Sequence, residues 1–199
     1  MNKHIQLFNK IAPIYRLFYN RQLKKYQEFV MFLDHKLTTV ELKTGLDVGC
    51  GTGALIRAFD EHGMQMTGLD GAEKMIAFAS KKQINRDIKF MHHDVLNGLP
   101  FKENSFDFVI ASYVVHGLTR EQRIQLLESM KHVSKNVVIL YEHAKKTSKF
   151  VELLETLEGG QYFSFREHID DDIQSIFPYY ERIMYKKNID VYVCFIHHK

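Results

Sequence analysis

The sequence predicts an α/β fold: an open, doubly wound sheet of mostly parallel strands, covered by helices and ending in an antiparallel hairpin. Apolar β-type runs alternate with helical patterns, which is the order that builds parallel strands joined by crossover helices. These runs span residues 44–50, 65–70, 88–94, 106–112 and 136–141. At the end of the chain, two β runs are joined by a short turn near Lys187 and Asn188. That turn leaves no room for a helix, so we expect these two strands to be antiparallel.

Helical patterns fill the intervals between the β runs. They cover residues 54–61, 72–81 and 119–133. In the last of these, apolar residues recur at every third position from Ile124 to Val133, and Thr119 with Gln122 predicts a capping box. The final β run, residues 189–196, is largely apolar on both faces. It is therefore expected to lie inside the sheet and not at its edge.

Length and composition predict a single domain spanning residues 1–199. The chain is 45% hydrophobic and 26% charged, which is ordinary for a globular protein with one core. We expect an N-terminal helical cap (1–43), a ligand-binding core (44–144) and a lid segment with the hairpin (145–199). No run approaches the roughly 20 apolar residues of a membrane span, and the start of the chain does not resemble a secretory signal. We therefore expect a cytoplasmic protein without a membrane partner.

Cysteine content and charge bear on the cellular compartment and on the possible partners of the protein. Cys50 and Cys194 are the only cysteines, too few for a disulfide framework, so a reducing compartment is expected. The formal net charge is +3, and the basic excess lies mostly in the N-terminal segment. Two explanations fit this excess: the solvated face of amphipathic helices, which we favour, or attraction of an anionic substrate or nucleic acid.

The first β run is followed by Gly49, Gly51 and Gly53 at alternate positions, in the stretch "LDVGCGTGAL". In an open parallel sheet a ligand binds at such a turn, where glycines let it approach the backbone. The G-x-G-x-G spacing differs from the G-x-G-x-x-G of a pyrophosphate loop. Asp47, just before the loop, would repel a pyrophosphate but suits an ammonium or sulfonium group. The loop therefore favours a cationic nucleoside over a dinucleotide.

Two further acids end the next two β runs. Asp70 is placed where a carboxylate can accept both hydroxyls of a ribose. Asp94 can accept the exocyclic amine of adenine, while the N–H of Val95 meets a ring nitrogen. For each acid taken alone, a role as a helix-capping or turn aspartate is the favoured explanation. Three acids at successive strand ends favour the ligand.

Four blocks of the sequence together resemble a known enzyme family. "GLDVGCGTG", "MTGLDGAEKMI", "HHDVLNGLPF" and "FDFVIASYVVHGL", within residues 45–143, are similar in order and spacing to class I S-adenosylmethionine-dependent methyltransferases, especially the small-molecule, quinone-methyltransferase-like group. The resemblance implies a Rossmann-like, seven-stranded sheet and S-adenosyl-L-methionine as cofactor. It also implies methyl transfer to a small-molecule acceptor, by a monomer or a homodimer.

The resemblance also implies which residues bind the cofactor. Tyr15, in "FNKIAPIYRLF", would close over its methionine part, although Arg16 stands where an acid is common. Gly71 and Ala72 stand where a larger residue and a serine are frequent, so Met75 is expected to help pack the adenine. The complete predicted set is Tyr15, Asp47, Gly49, Cys50, Gly51, Thr52, Gly53, Asp70, Gly71, Met75, Asp94, Val95, Ala111, Ser112 and His116.

Catalysis of methyl transfer needs mainly an acceptor held in line with the methyl group. A hydroxyl or thiol acceptor must also lose a proton, which a nearby side chain can take. His116, Tyr113 and His143 are the candidates, and Glu142 is a weaker one. A packing role fits each of them equally well, and for Glu142 better, so no base is assigned.

The region after the fourth β run indicates the kind of acceptor. It reads "ASYV", where enzymes that methylate exocyclic amines of nucleic acid commonly carry Asn/Asp-Pro-Pro-aromatic, so nucleic acid is disfavoured. The segment 151–170 is short, which suggests a small acceptor. It can act as a lid with hinges at Gly159 and Gly160, in which Tyr162, Phe163 and Phe165 would form an apolar wall. An ordinary helix and loop fit this segment equally well.

Other chemistries are less well supported. The pairs His92-His93 and His197-His198 cannot easily share one metal ion, because neighbours in a strand point to opposite faces, so no metal is expected. Cys50 is expected to fill space and not to act as a nucleophile. The alternative functions are a non-catalytic or regulatory S-adenosylmethionine-binding protein and, less favoured by the glycine spacing, a nicotinamide-dependent oxidoreductase.

Overall fold

The computed structural model describes residues 3–82, 87–144 and 161–197. The chain divides into two compact units, Met1–Asn97 and Gly98–Lys199. The boundaries predicted at residues 43 and 144 within a single domain stay predictions. Gly159, Gly160 and His198 lie outside the described residues, and so does the lid segment up to residue 160.

Seven strands form a mixed sheet in the order β3-β2-β1-β4-β5-β7-β6. The first unit contributes β1 (Thr44–Val48), β2 (Gln65–Asp70) and β3 (Lys89–His92). The second contributes β4 (Phe106–Ser112), β5 (Ser134–His143), β6 (Tyr179–Lys186) and β7 (Ile189–Phe195). β7 pairs antiparallel with β5 on one side and with β6 on the other, whereas β1 with β2, β2 with β3, and β4 with β5 are parallel. The predicted sheet, its C-terminal hairpin and the inner position of the last strand are confirmed.

Helices occupy the predicted intervals within about one residue. The described helices are α1 (Lys3–Leu17), α2 (Tyr19–Lys36), α3 (Ala54–Glu61), α4 (Glu73–Lys82), α5 (Arg120–Val133) and α6 (Gln161–Ile176). The capping box is present: the hydroxyl of Thr119 accepts the amide of Gln122, and the Gln122 side chain accepts the amide of Thr119. None of the described helices is both long and apolar enough to cross a membrane, and the cytoplasmic location stays a prediction.

Burial follows the apolar runs. In the first unit, Leu46 and Val48 of β1 and Ile56 and Phe59 of α3 are fully buried. In the second unit, β4 is buried from its first residue to Ala111. Strands buried on both faces are typical of a sheet covered by helices on both sides. The strand ends then place polar residues next to the loops.

A buried ion pair fastens α6 to α5. Arg123 and Asp172 are both fully buried, and the Nε of Arg123 donates to Asp172 at 2.8 Å. Arg120, which is half-exposed, donates to the other carboxylate oxygen of Asp172 at 2.7 Å. Because leaving either buried charge alone is unfavourable, this pair fixes the position of α6 on α5.

Candidate active site

The glycine loop follows β1 and is attached to β2. The amides of Gly49 and Cys50 both donate to the carbonyl of Leu69, at 2.8 and 2.9 Å. Gly49, Gly51 and Gly53 have φ angles of 77°, 52° and 75°. These values lie in the left-handed region, which residues with a Cβ rarely adopt.

Gly51 and Gly53 serve different purposes. A Cβ on Gly51 would meet no atom within 4 Å, so this part of the backbone borders open space. A Cβ on Gly53 would lie 3.1 Å from the side chains of both Ala79 and Phe90. Gly53 therefore lets the loop pack against α4 and β3, whereas Gly51 leaves space for a ligand. The spacing of the three glycines in the sequence does not reveal this difference.

Asp70 joins the glycine loop to the start of α4. One carboxylate oxygen accepts the amide of Gly51 at 2.8 Å, and the other accepts the amide of Ala72 at 2.7 Å. Burial raises the pKa of Asp70, although these two amide bonds act in the opposite direction. The capping role considered in the sequence analysis is therefore present. Each carboxylate oxygen keeps a second lone pair, so the ribose contact stays a prediction.

Asp47 is the least compensated acid of the first unit. It is 1% exposed, and its Oδ1 has no hydrogen-bond partner among the described residues. Burial, assisted by the charge of Asp70, raises the pKa of Asp47 to about 8. A buried carboxylate without a donor is unfavourable, and a positively charged group beside it would stabilise it. The residues of the loop thus fit a cationic ligand.

The end of α1 covers the start of α4. Ala12, Ala72 and Met75 form a buried cluster against which Phe8 and Tyr15 pack. Tyr15 is half-buried in this position, and Met75 is almost completely buried. The cofactor contacts predicted for both stay predictions.

Two departures from the family pattern have packing explanations. A Cβ on Gly71 would lie 2.6 Å from the Cδ1 of Ile5, so glycine allows α1 to approach β2 closely. The guanidinium of Arg16 lies 5.1 Å from the centre of the Phe78 ring, which makes a cation–π contact with α4. Both residues help to seat the helical cap.

The sequence analysis missed Gln22. Its side-chain oxygen accepts the hydroxyl of Thr52 at 3.3 Å, so α2 contacts the glycine loop directly. Thr52 itself is 5% exposed. A glutamine in an amphipathic helix carries no signal of such a role, and only the folded arrangement of α2 against the loop identifies it.

Asp94 shapes the turn after β3. Its Oδ1 accepts the amide of Leu96 at 3.1 Å, and its carbonyl accepts the amide of Asn97. These bonds build the 3-10 turn Val95–Asn97. The turn-aspartate explanation is therefore present, and the adenine contacts of Asp94 and Val95 stay predictions.

In the second unit, Glu142 organises the loop that follows β4. The acid is fully buried, and its Oε1 accepts the amides of Val114 and Val115 at 2.9 and 2.8 Å. Its Oε2 lies 2.6 Å from the Nδ1 of His116, which is 8% exposed. The packing role expected for Glu142 is thus real, and the same carboxylate also orients a candidate base.

An aromatic cluster surrounds this pair. Ring centres of Tyr113 and His143 are 4.6 Å apart, and those of His116 and His143 are 5.2 Å apart. Tyr162 and Phe165 of α6 pack their rings against His116 at 6.5 and 6.3 Å. Burial, with the charge of His116 in support, lowers the pKa of His143 to about 4. His143 is therefore neutral at physiological pH.

Other predicted residues of this unit fall into different environments. Ala111 is fully buried near the end of β4, and Ser112, the last residue of that strand, is half-buried. Tyr162 and Phe165 are buried and Phe163 is half exposed, so two of the three predicted wall aromatics face the interior. The Tyr162 hydroxyl donates to the carbonyl of Ala144 at 3.0 Å.

Nothing in the described part of the chain points to metal or thiolate chemistry. Within residues 3–82, 87–144 and 161–197, no group of three His, Cys, Asp or Glu residues is placed to hold a metal ion. Burial raises the pKa of Cys50 well above its ordinary value, which keeps the thiol protonated. A Cβ on Gly68 would lie 2.8 Å from the sulfur of Cys50, so this thiol fills space beside β2.

Comparison with known proteins identifies related sequences and folds. Residues 46–136 match the family model described as a methyltransferase domain. An uncharacterized methyltransferase of Staphylococcus carnosus is 23% identical over 191 residues, which cover 86% of this chain and 89% of that protein. A demethylmenaquinone methyltransferase of Staphylococcus epidermidis is 29% identical over 150 residues; the match covers 70% of this chain and 59% of that enzyme's length.

Among solved structures, magnesium protoporphyrin IX methyltransferase from Synechocystis PCC 6803 shares the fold. The TM-score is 0.61 at 18% sequence identity, with 87% of this chain and 82% of that chain covered. This solved structure therefore has the fold that the sequence blocks imply. The chain carries the fold and the sequence blocks of a class I S-adenosylmethionine-dependent methyltransferase.

Alanine substitutions at Gly51 and Gly53 are expected to affect ligand binding and packing differently. Both substitutions place a Cβ on a left-handed residue, which destabilises by about 1 kcal/mol. Gly53→Ala also crowds α4 and β3, so we expect a total loss of about 2 kcal/mol or more in urea unfolding. Gly51→Ala is expected to retain more stability but to bind S-adenosylhomocysteine about tenfold more weakly. Equal stability losses and equal affinities for the two variants would contradict this division.

The raised pKa of Asp47 predicts a pH-dependent stability. Between its unfolded value near 4 and its folded value of about 8, the folded state binds more protons, so this residue lowers stability as pH rises. We expect ligand-free Asp47→Asn to exceed the native protein in unfolding free energy by about 1 kcal/mol or more at pH 8. The advantage is expected to shrink as pH falls and to disappear below about pH 4, where Asp47 is protonated in both states. Thermal unfolding across this pH range measures it, and a constant difference between the two proteins would count against it.

Proposed function

We propose that this chain transfers a methyl group from S-adenosyl-L-methionine to a small-molecule acceptor. The observation that carries the proposal is Asp47, a buried acid of β1 whose Oδ1 has no hydrogen-bond partner among the described residues, in the strand that leads into the loop with the open backbone of Gly51. With a pKa of about 8, Asp47 is mostly protonated at neutral pH in the ligand-free protein, and a sulfonium or ammonium group favours its ionised form whereas an anionic phosphate opposes it. This preference favours S-adenosylmethionine over a nicotinamide dinucleotide.

In this proposal, residues of the first unit contact the cofactor. When bound, the cofactor supplies an activated methyl group on a sulfonium centre. Asp47 would face the methionine part, Gly51 would allow close approach to the backbone, and Asp70 would accept the ribose hydroxyls. Asp94 and Val95 would contact the adenine. The Synechocystis enzyme with the same fold has S-adenosylhomocysteine bound, which supports this choice of cofactor.

The second unit supplies a base for an acceptor that must lose a proton. Because the Glu142 carboxylate accepts a hydrogen bond at Nδ1, His116 is held as the tautomer with its proton on that nitrogen. The Nε2 of His116 then has a lone pair that can take the acceptor's proton. The acceptor's electron pair forms the new bond to the methyl carbon. His143 is the weaker candidate because its pKa is about 4.

The surroundings of His116 favour an aromatic acceptor with an ionisable group. Rings of Tyr113, His143, Tyr162 and Phe165 lie around it and offer faces and edges for stacking. The relative from S. epidermidis is named a demethylmenaquinone methyltransferase, which supports an acceptor of the quinone type. We therefore propose a quinol-like or phenolic small molecule.

Binding and transfer are tested together on purified protein. Calorimetry is expected to show micromolar binding of S-adenosylmethionine and S-adenosylhomocysteine, and about tenfold weaker binding to Asp47→Asn. Asp34→Asn, an exposed acid of α2, is the matched control and should bind normally. Methyl-labelled cofactor with a panel of quinols and phenols then reports transfer. No heat with either ligand would refute the proposal, and binding without transfer to any acceptor would support the regulatory alternative.

His116→Asn tests the base. For a phenolic acceptor we expect kcat to fall about 100-fold or more, because the proton acceptor is lost. The assay uses saturating S-adenosylmethionine, because His116 is also among the predicted cofactor contacts. His132→Asn, on the exposed face of α5, is the control and should keep full activity. If His116→Asn retains native kcat over the whole pH range, positioning alone accounts for the rate.

A further inference from the structure

The connection between α1 and α2 presents apolar side chains to solvent. The two helices meet at Phe18, whose amide donates to the carbonyl of Tyr15. Around this point Ile14, Leu17 and Phe18 are 55%, 82% and 49% exposed. A contiguous group of large exposed apolar residues on a globular protein marks an interaction site more often than chance exposure.

The chain on both sides of these apolar residues is rich in basic residues. The first acidic residue of the chain is Glu28. Before it, five exposed basic residues lie on the two helices: Lys10, Arg16, Arg21, Lys24 and Lys25. The surface formed by Ile14, Leu17, Phe18 and these five basic residues is called the corner surface below.

Helical spacing places part of the corner surface on one face of α1. Lys10, Ile14 and Leu17 follow one another at intervals of four and three residues, which aligns them along the helix. The opposite face of α1 carries Ala12 and Tyr15, which pack toward α4. One face of α1 therefore covers α4, and the opposite face presents apolar and basic side chains to solvent.

We infer that the corner surface docks on an anionic lipid surface. Leu17 and Phe18 would enter the boundary between headgroups and acyl chains, and the basic side chains would lie at the lipid phosphates. This inference goes beyond the proposed function and does not depend on it. The sequence analysis excluded a membrane partner because no stretch is long enough to span a bilayer, but surface docking needs no spanning segment.

The charges favour lipid over the other occupants of such a surface. In a two-fold dimer the same surface would face itself, and its five basic residues would repel their copies. Nucleic acid would leave Leu17 and Phe18 beside phosphates without an apolar partner. An anionic bilayer satisfies both features at once, because its phosphates lie directly above an apolar interior.

Docking in this way also orients the first unit. Along the chain, Leu17 and Phe18 of the corner surface lie between Tyr15, which packs on the start of α4, and Gln22, which binds Thr52 of the glycine loop. The loop would therefore lie close to the lipid surface. A lipid-soluble acceptor would reach such a protein without crossing bulk water.

Sedimentation with vesicles tests the inference. The probes are vesicles of phosphatidylglycerol mixed equally with phosphatidylcholine, and vesicles of phosphatidylcholine alone. The native protein is expected to bind the anionic vesicles, to bind the neutral ones at least about tenfold more weakly, and to be released by high salt. Leu17→Ser with Phe18→Ser, and separately Lys24→Gln with Lys25→Gln, should each reduce binding about tenfold. Met184→Ser, an equally exposed apolar residue of β6, is the control and should bind like the native protein.

Several results would overturn the inference. Binding to neither kind of vesicle would do so, and so would equal binding to both. Native binding by the Leu17→Ser, Phe18→Ser variant would show that the corner surface is not involved. Sedimentation velocity without lipid covers the remaining case: a native dimer that this variant converts to monomers would assign the surface to a second copy of the chain. Unchanged thermal unfolding of each variant excludes loss of fold as the cause.

Discussion

In each unit, a carboxylate accepts hydrogen bonds from the backbone amides of a neighbouring loop and fixes the conformation of that loop. Asp70, at the end of β2, accepts the amide of Gly51 in the loop that follows β1. Glu142, near the end of β5, accepts the amides of Val114 and Val115 in the loop that follows β4. In each case the acid lies on a strand paired with the one that precedes the loop. Loop amides have no strand partner after the ladder ends, so an acid on the next strand satisfies them.

The number of hydrogen-bond donors around Asp70 and Asp47 then determines how well the ionised form of each acid is stabilised. Asp70 and Asp47 are both buried, and burial is the main cause that raises the pKa of each. Two amides offset part of this effect at Asp70, whereas Asp47 Oδ1 has no partner among the described residues. The fold thus leaves one carboxylate poorly stabilised in the absence of a ligand. A bound cation would stabilise the ionised form of Asp47, and this stabilisation would contribute to the free energy of binding.

Features encoded by neighbouring residues could be predicted from the sequence. The alternation of β runs and helices, the capping box at Thr119 and the inner position of β7 all follow from local patterns, and the structure has them. Of the three acids expected at strand ends, Asp70 ends β2, whereas Asp47 is the last but one residue of β1 and Asp94 follows β3 by two residues. Features that join distant segments could not be predicted. The Glu142–His116 pair spans 26 residues, and the reason for glycine at position 71 is a side chain of α1.

Tyr113 shows where local reasoning fails and why. Its φ of 56° is left-handed, a conformation that is unfavourable by about 1 kcal/mol or more for a residue with a bulky side chain. No local pattern predicts a tyrosine there. The next two amides are fixed by Glu142, so the turn is imposed by β5 and not by the residue itself. The strained backbone in turn sets the Tyr113 ring against His143, beside the candidate base. The strain and the chemistry of this site therefore have one origin, the buried carboxylate of Glu142.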